Sequence, residues 1–521
     1  MLYNLVGDIM KKYLIKEYIE ILRKNNLIKE LINVDEIIEK QVNHFSYNSK
    51  DIKENTLFIC KGATFKEEYL QSAINEGSFA YIADKKYDVD IPAIIVENIR
   101  DSLAICSRMY FNNPDESLKI IGITGTKGKS TTLYYIKNII NKFLKDNKKE
   151  EMAYLSTIET YDGKSKYESL LSTPESYELY KNFRNAVDSG IENVVMEVSS
   201  QSLKYNRLGE LFFDISLFLN IGEDHISDVE HPNFEDYFES KLKIFEKSKI
   251  TCINLDDKCS KQIIKRAKDK ENKIITFSCL DSKANVYVYD IQKEGISTIF
   301  KVRTDKFDTK FELSMPGLFN VYNALAAISV AIHYNIPEKY IIAGLKEARV
   351  PGRMELYKSK DEKILSIVDY AHNKLSFEKI YETTKKEYPS RKIVTIFGCP
   401  GSKAKSRRKD LGIESGKNSD YIYLTADDPA YEEVVDISNE VAEYIKKYNK
   451  NYTIIEDRET SIKEAVKFIL NQKDSYILLI LGKGNEDRQK VKGGLQEYLS
   501  DAVCIKNCIR EYEKINYFIK F

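Results

Sequence analysis

The sequence predicts an α/β protein of three domains, and three observations carry that expectation. Short apolar runs rich in β-branched residues alternate with helical patterns along most of the chain. One alternation encloses "GITGTKGKSTT" (122–132), a glycine-rich turn from strand to helix. The pattern restarts after "ARVPGRME" (348–355), where four apolar runs each lead into a loop of polar or charged residues. At 521 residues the chain is too long for one core, and three domains is the natural division.

In chain order, "NTLFIC", "EEYLQSAINEG", "FAYIAD" and "IPAIIVEN" read as strand, helix, strand and strand. They predict a small α/β domain over 1–117, closed by the polar turn cluster "FNNPDES" (111–117). A central domain over 118–350 follows, with a mostly parallel sheet. The last domain, 351–521, carries "KILSIVDYAH", "KIVTIFGCPGSKAKSRR", "DYIYLTADDPAYEE" and "SYILLILGKGNED". In open parallel sheets ligands bind outside the carboxyl ends of the strands, so these loops are where chemistry is expected. Plain surface turns would explain one such loop more easily than four.

The central turn is a phosphate cradle. "LKIIGIT" (118–124) reads as a buried strand, and Leu133, Ile136, Ile140 and Phe143 then recur at helical spacing. Backbone N–H groups and a helix N-terminus can surround an anion there. Lys129 would neutralise the β/γ-phosphates and Ser130 would sit on Mg²⁺. The strict Walker spacing needs glycine at 123, where this chain has Ile123, so the loop is a G-T-x-G-K-S variant. The alternative is a generic glycine-rich turn.

"NVVMEVSSQSLKYNRLG" (193–209) begins as a strand and presents Glu197, Ser199, Ser200 and Arg207. A carboxylate at a strand end in a P-loop domain is a natural Mg²⁺ ligand. A lone Glu would more often be a solvated end. "FLNIGEDHISDVEHPNFEDYFESKLKIF" (218–245) brings Asp224 and His225 after another apolar run. Lys241 follows on an aromatic-rich helix, where an isolated lysine is usually solvated. "CINLDD" (252–257) reads as a turn, and "MPGLFNVYNALAAISVA" (315–331) carries Asn320 and Asn323 into an apolar helix. From the residues alone, the reading stops at a multidomain ATP- and Mg²⁺-dependent enzyme with ligand loops on its last domain.

Composition excludes other classes. Lys+Arg and Asp+Glu balance at 80 each, so no bulk field draws nucleic acid or an anionic membrane. The eight cysteines are scattered without metal spacing, and Cys504 and Cys508 lie one helical turn apart, as on one helix face. Dispersed thiols suit a reducing compartment. The charged start is no secretory signal and no run approaches a membrane span. The expectation is a soluble, cytoplasmic protein with no membrane insertion.

The ordered set "GITGTKGKSTT", "STPESYEL", "MEVSSQSL", "FLNIGEDH", "CINLDD", "GLFNVYN", "VPGRME", "VDYAH", "FGCPGSK" and "GKGNED" resembles the Mur ligases from about Ser49 to the end. It is most similar to the branch that adds the third residue of the peptidoglycan stem. The resemblance implies an N-terminal UDP-substrate domain, a central P-loop ATPase domain and a C-terminal Rossmann-like domain that binds the amino acid. It implies ATP-driven amide formation on UDP-N-acetylmuramoyl-L-alanyl-D-glutamate through an acyl phosphate, by a monomer.

Residue by residue, it implies that Ser49 stands where the family has "DSR", beside the uridine nucleotide. Ser172, Thr173, Ser199 and Arg207 would contact the UDP-muramoyl dipeptide. Gly125, Thr126, Lys127, Gly128, Lys129, Ser130 and Thr131 would wrap the ATP phosphates. Ser130, Glu197 and His225 would serve Mg²⁺, and Lys241 matches the lysine that the family carbamylates with CO₂. Lys129, His225 and Lys241 would thus carry catalysis. Asn320, Arg353, Asp369 and His372 fall on the motifs that meet the nucleotide from the domain junction.

The added amino acid follows from "ADDPAYEE" (426–433). Relatives that add meso-diaminopimelate read "DNPR" here, and that Arg pairs with the distal carboxylate. This chain has Asp427, Asp428, Pro429 and Ala430: the guanidinium is gone and a carboxylate is added. A substrate ending in an ammonium fits, so L-lysine is expected. Lys403, Gly482 and Glu486 would place its amino-acid end. Departures include Lys403 for a usual Arg, Asn485 and Arg488 for the His and Tyr of "GKGHEDYQ", Gln201 for a common His, and Tyr205 for a frequent Gln. Arg407 or Arg408 reaching a distal carboxylate would restore diaminopimelate. The rival readings are another diamino acid, folylpolyglutamate synthesis, and a P-loop protein without ligase activity.

Overall fold

The computed structural model describes residues 11–519, apart from 63–64, 170, 225, 228–229, 295–296 and 403–404, with backbone alone for 516–519. His225 and Lys403 therefore lie outside the described residues. The chain divides into two compact units: Met1–Asp290, Phe300–Phe311 and Tyr322–Leu345 form one, and Ile291–Ile299, Glu312–Val321 and Lys346–Phe521 the other.

The first unit opens with a five-stranded sheet in the spatial order Ile28–Ile32, Ala93–Val96, Ser78–Ala83, Thr56–Ile59, His44–Ser46. Only the first pair is antiparallel. Successive strand side chains point to opposite faces. Leu57, Ile59 and Ile82 meet Ile15, Tyr18, Ile19 and Leu22 of the helix Ile15–Lys24. Phe58, Tyr81 and Ile95 meet Leu70 and Ala73 of the helix Glu67–Asn75. A sheet buried on both faces explains why its strands read as continuous apolar runs.

The large sheet of this unit holds the parallel run Lys273–Ser278, Ser248–Asn254, Phe213–Phe218, Lys119–Thr124, Asn193–Glu197, Ala153–Leu155. The cradle strand Lys119–Thr124 is central. Glu197 pairs with Ile123 on one side and Phe218 with Thr124 on the other, so three strand ends stop at one level. Gly122 is required in that strand, because a Cβ there would lie 2.7 Å from the Phe213 ring. The helix Lys129–Asp146 forms where expected and buries Leu133, Ile136 and Ile140. Phe143 sits edge-on to Tyr340, ring centroids 5.5 Å apart.

The second unit is built on a six-stranded sheet in the order Glu355–Lys358, Leu365–Asp369, Tyr476–Leu481, Lys392–Phe397, Tyr421–Leu424, Tyr452–Ile454. After one antiparallel edge pair all strands are parallel, so Asp369, Phe397, Leu424 and Leu481 end on one side. Cys504 and Cys508 face this core from the helix Asp501–Ile519, which bears out the one-face reading. All eight cysteines are free thiols. Among the described residues no helix is long and apolar enough to cross a membrane.

Candidate active site

The glycines of the cradle have the backbone the turn requires. Gly125 has φ +150° and Gly128 φ +88°, and Gly128 precedes the first residue of the helix Lys129–Asp146. A Cβ on Gly128 would lie 2.3 Å from Asn323 Oδ1. Asn220 braces the loop: its Oδ1 accepts from Lys127 N at 2.9 Å and its Nδ2 donates to Lys127 O at 3.0 Å. Thr126 Oγ1 lies 3.1 Å from Tyr237 OH and accepts from Gly222 N at 3.0 Å. Lys129 Nζ donates to Gly125 O at 2.9 Å and Thr126 O at 3.2 Å, folded back over the loop. Thr131 is buried behind it.

Glu197 is not a solvated strand end. Only 1% of it is exposed, and Oε1 accepts from Ser130 Oγ at 2.7 Å, Ser156 Oγ at 2.6 Å and Thr157 N at 2.8 Å. Its other oxygen accepts from Thr157 Oγ1 at 3.0 Å. Thus the cradle serine and the carboxylate read as metal ligands are in direct contact.

Lys241 also departs from the solvated reading. It comes from the last turn of the helix Phe234–Leu242, is 2% exposed, and donates to Gly125 O at 3.0 Å. Burial, and then the positive charge of Lys129, hold its pKa well below the usual lysine value. Asp224 instead pairs with Lys127, Oδ2 to Nζ 3.1 Å.

The residues read as dipeptide contacts gather beside Glu197. Ser172 Oγ lies 2.9 Å from Thr157 Oγ1, and Thr173 Oγ1 donates to Glu197 O and accepts from Ser199 N, both at 2.9 Å. Ser199 caps the short helix Ser200–Lys204. Arg207 Nη1 donates to Thr173 O at 3.3 Å, and its Nε lies 3.0 Å from Glu175 Oε1, whose other oxygen is 2.7 Å from Lys61 Nζ. Ser49 lies half-buried just past the strand His44–Ser46.

In the second unit, Asp369 Oδ2 accepts from Met354 N at 2.7 Å and Oδ1 from Ala371 N at 2.8 Å. Arg353 lies over the Tyr370 ring, 4.5 Å from its centroid, and His372 Nδ1 is 2.8 Å from Tyr370 O. Asn320 is buried and donates to Pro316 O at 2.7 Å.

The proposed amino-acid loops leave the carboxyl ends of Tyr421–Leu424 and Tyr476–Leu481. Asp428 and Ala430 both take left-handed backbone, φ +49° and +53°. Ala430 N donates to Lys490 O at 2.8 Å. Asp427 is buried, and burial lifts its carboxyl to about 6 although Arg458 and Lys483 oppose the shift. A Cβ on Gly482 would lie 2.3 Å from Asp427 Oδ2, and one on Gly401 would lie 1.8 Å from Pro429 O. Glycines at both places let neighbouring loops close on residues 427–430. Arg408 is 2% exposed and held by Glu432 Oε2 at 2.8 Å and Glu440 Oε2 at 2.5 Å, so it is committed inside the fold. Arg407 is half-buried.

Three residues escaped the sequence reading. Lys483 is buried with Nζ 2.8 Å from Asp428 Oδ1 and in contact with Glu486 Oε2. Burial pulls its pKa down, but Glu486, Asp427 and Asp428 outweigh that and hold it above the usual value. His231 is fully buried, its Nδ1 2.5 Å from Asp236 Oδ2 and its Nε2 2.9 Å from Ser200 Oγ. Arg458 is 1% exposed at its side chain, paired with Asp501. The "GKGNED" motif could have pointed to Lys483. For the other two the sequence carries no local signal.

Comparison with known proteins follows the same outline. Residues 123–331 match the Mur ligase middle domain, and residues 352–484 the Mur ligase glutamate ligase domain. The UDP-N-acetylmuramoyl-L-alanyl-D-glutamate–L-lysine ligase of Streptococcus pneumoniae is 34% identical over 502 residues, covering 95% of this chain and 99% of that protein. Among solved structures, a UDP-N-acetylmuramoyl-L-alanyl-D-glutamate–2,6-diaminopimelate ligase aligns with TM-score 0.66 at 22% identity, covering 96% of this chain and all of that one. The MurF ligase from Thermotoga maritima in complex with ADP aligns with TM-score 0.59 at 21% identity, covering 91% and 97%. At these identities the two structures speak for the fold.

Proposed function

We infer the function from one premise: the chain belongs to the Mur ligase family. It is an ATP-dependent ligase that joins L-lysine to UDP-N-acetylmuramoyl-L-alanyl-D-glutamate in peptidoglycan precursor synthesis. The observation that carries the lysine reading is the loop 427–430, which holds two carboxylates and Ala430 where an arginine would meet a second carboxylate. Arg408, buried against Glu432 and Glu440, is not available to replace it.

The reaction joins a carboxylate to an amine, and water must be driven out at the expense of ATP. The D-glutamate carboxylate attacks the γ-phosphorus, forming the acyl phosphate and releasing ADP. The α-amine of lysine then attacks the acyl carbon, and phosphate leaves from the tetrahedral intermediate. Two anions meet in the first step, so positive charge must lie between them. Lys129 supplies it: its ammonium rests on two loop carbonyls, close to where phosphates would be cradled, and can exchange them for phosphate oxygens. Lys127, tied through its backbone to Asn220, holds the cradle's shape.

The donors at Ser130 and Glu197 fit Mg²⁺, a hard cation that prefers a carboxylate, a hydroxyl and phosphate oxygens. Bound there, it would neutralise charge on the transferring phosphoryl group. His225 is assigned to the same role from its motif. Lys241 suits carbamylation because burial, and then the charge of Lys129, lower its pKa well below the usual lysine value and so favour the uncharged amine that adds to CO₂. Addition gives an N-carboxylate and releases one proton, which converts a buried base into an acidic arm. Ser172, Thr173, Ser199 and Arg207 are assigned to the dipeptide substrate, and Ser49 to its uridine end. Asn320, Arg353, Asp369 and His372 are assigned to the nucleotide, and Lys403 to the amino acid's carboxylate.

The deciding experiment is amino-acid-dependent phosphate release by the purified chain with ATP, Mg²⁺ and the UDP-dipeptide. L-Lysine, meso-diaminopimelate and L-ornithine are tested in parallel. Release with lysine alone is expected. A preference for diaminopimelate would keep the ligase and overturn the reading of Ala430, and no release with any of them would overturn the ligase.

A further inference from the structure

Among the described residues Arg458 is the largest fully buried side chain, and the mechanism above does not use it. It opens the helix Arg458–Leu470, whose N-cap is Asp457. Its guanidinium makes a two-point pair with Asp501, Nε to Oδ1 and Nη2 to Oδ2 both at 2.7 Å, with the two side chains 1% and 0% exposed. The remaining donors go elsewhere: Nη1 donates to Ala426 O at 3.1 Å and Nη2 to Leu481 O at 2.9 Å.

The positions of those carbonyls matter. Ala426 immediately precedes Asp427, and Leu481 immediately precedes Gly482. The strands that carry them, Tyr421–Leu424 and Tyr476–Leu481, are not neighbours, because Lys392–Phe397 runs between them. The two strands therefore share no direct hydrogen bond. The loops meet further out, where Lys483 Nζ lies 2.8 Å from Asp428 Oδ1 and Ala430 N donates to Lys490 O, while their first residues are joined by Arg458. Arg458 ties them across the end of the intervening strand. A planar fork with fixed donor directions can hold four acceptor atoms in one arrangement, which a lysine cannot. Buried ion pairs add little net stability over apolar packing, so stability alone does not account for a fully desolvated one.

We propose that the Arg458–Asp501 pair is the positioning element of the amino-acid site, setting the separation of the loops 427–430 and 482–486 at their roots so that Asp427, and the Asp428–Lys483–Glu486 cluster beside it, face the incoming diamine in one arrangement. The proposal rests on the assignment of those loops to the amino acid. Arg458 touches no substrate; it acts through Ala426 and Leu481. Its charge also opposes the burial-driven rise of the Asp427 carboxyl.

The test uses the full chain and two variants. Arg458→Lys keeps a charge beside Asp501 but loses the fork. The double variant Arg458→Gln with Asp501→Asn removes both charges, so neither is left buried alone. In steady-state assays KM for L-lysine should rise 10-fold or more in both, with KM for ATP and for the UDP-dipeptide within about twofold of the parent. Selectivity for lysine over ornithine should fall with it. Amide hydrogen exchange should quicken at 427–430 and 482–486 while Lys392–Phe397 stays protected. Unchanged exchange in both loops in a folded variant would overturn the proposal whatever the activity. Equal changes in all three KM values would overturn it too, as general loosening. If the loops loosen in both variants and only the ATP or UDP-dipeptide KM responds, the positioning role stands and the assignment of the loops to the amino acid fails.

Discussion

Lys129 and Lys241 donate to the same carbonyl: Gly125 O accepts from Lys129 Nζ at 2.9 Å and from Lys241 Nζ at 3.0 Å. Burial, and then the positive charge of Lys129, lower the pKa of Lys241 well below the usual lysine value. Under the proposed carbamylation an uncharged amine is what CO₂ requires, and the charge of Lys129 acts in that direction.

Replacing Lys241 with Ala should lower kcat by on the order of 10²- to 10³-fold, as expected when one charge-stabilising group is lost. Short-chain carboxylic acids should restore part of the activity by placing a carboxylate in the vacated space. The measurement is phosphate release across an acetate and formate series, with circular dichroism to show an intact fold. No rescue in a folded protein would mean that a positioned carboxylate is not what Lys241 supplies.

Glu197 separates chemistry from stability. Glu197→Gln keeps an acceptor for Ser130 and Ser156, so Tm should move little while the Mg²⁺ concentration for half-maximal rate rises. Glu197→Ala removes that acceptor from two hydroxyls and one N–H. Each buried group left unsatisfied costs roughly 1–3 kcal/mol, so this variant should also lose Tm. Similar Tm losses in the two would show that the charge, not the acceptor, supports the fold.

These two sites differ in how legible they were in the sequence. The cradle was readable because its signal is local: an apolar strand, glycines, Lys129, Ser130 and helical spacing fall within a few turns of chain. Lys241 was readable only through family resemblance, since nothing beside it in sequence says that it will be buried against Gly125, 116 positions earlier. Arg458 was not readable at all. Its meaning comes from Asp501, Ala426 and Leu481, which lie 43, 32 and 23 positions away. Pairings of that range are set by sheet order, and periodicity does not encode sheet order.

Ala430→Arg should move selectivity towards meso-diaminopimelate. A bidentate charge-assisted contact is worth roughly 1.5–3 kcal/mol, which corresponds to about 10- to 100-fold in relative kcat/KM. The check is the ratio of kcat/KM values for the two amino acids. No change in that ratio would sink the selector reading.

The proposed place of Asp427 in the amino-acid site predicts a pH signature. Burial raises its carboxyl to about 6. In the proposed assignment of this loop to the amino acid, the carboxylate ionised above that value attracts the substrate ammonium, and below it the attraction is lost. KM for lysine should therefore rise as pH falls through about 6, while KM for ATP shows no such step. The linkage to stability has the opposite sign. A carboxyl whose folded value lies above its unfolded 3.8 disfavours the fold increasingly as pH climbs between the two. Asp427→Asn should accordingly gain Tm near neutral pH, lose the step, and bind lysine weakly. A loss of Tm instead would mean that the charge of Arg458 and Lys483 already compensates the burial of Asp427.

Gly482 tests the same carboxylate from the other side. Its φ of +110° favours glycine, and an added Cβ would meet Asp427 Oδ2 at 2.3 Å. The obstacle is the far end of a side chain, which can turn away, whereas a backbone clash would displace a strand. Gly482→Ala should thus cost about 1–2 kcal/mol from the backbone conformation and, separately, swing the Asp427 carboxylate off its position. KM for lysine should rise several-fold with KM for ATP unchanged. Combining Gly482→Ala with Asp427→Asn should add little to the lysine defect of Asp427→Asn alone, because both act on one group. Fully additive defects would show that Gly482 serves the site through its own backbone and not through Asp427.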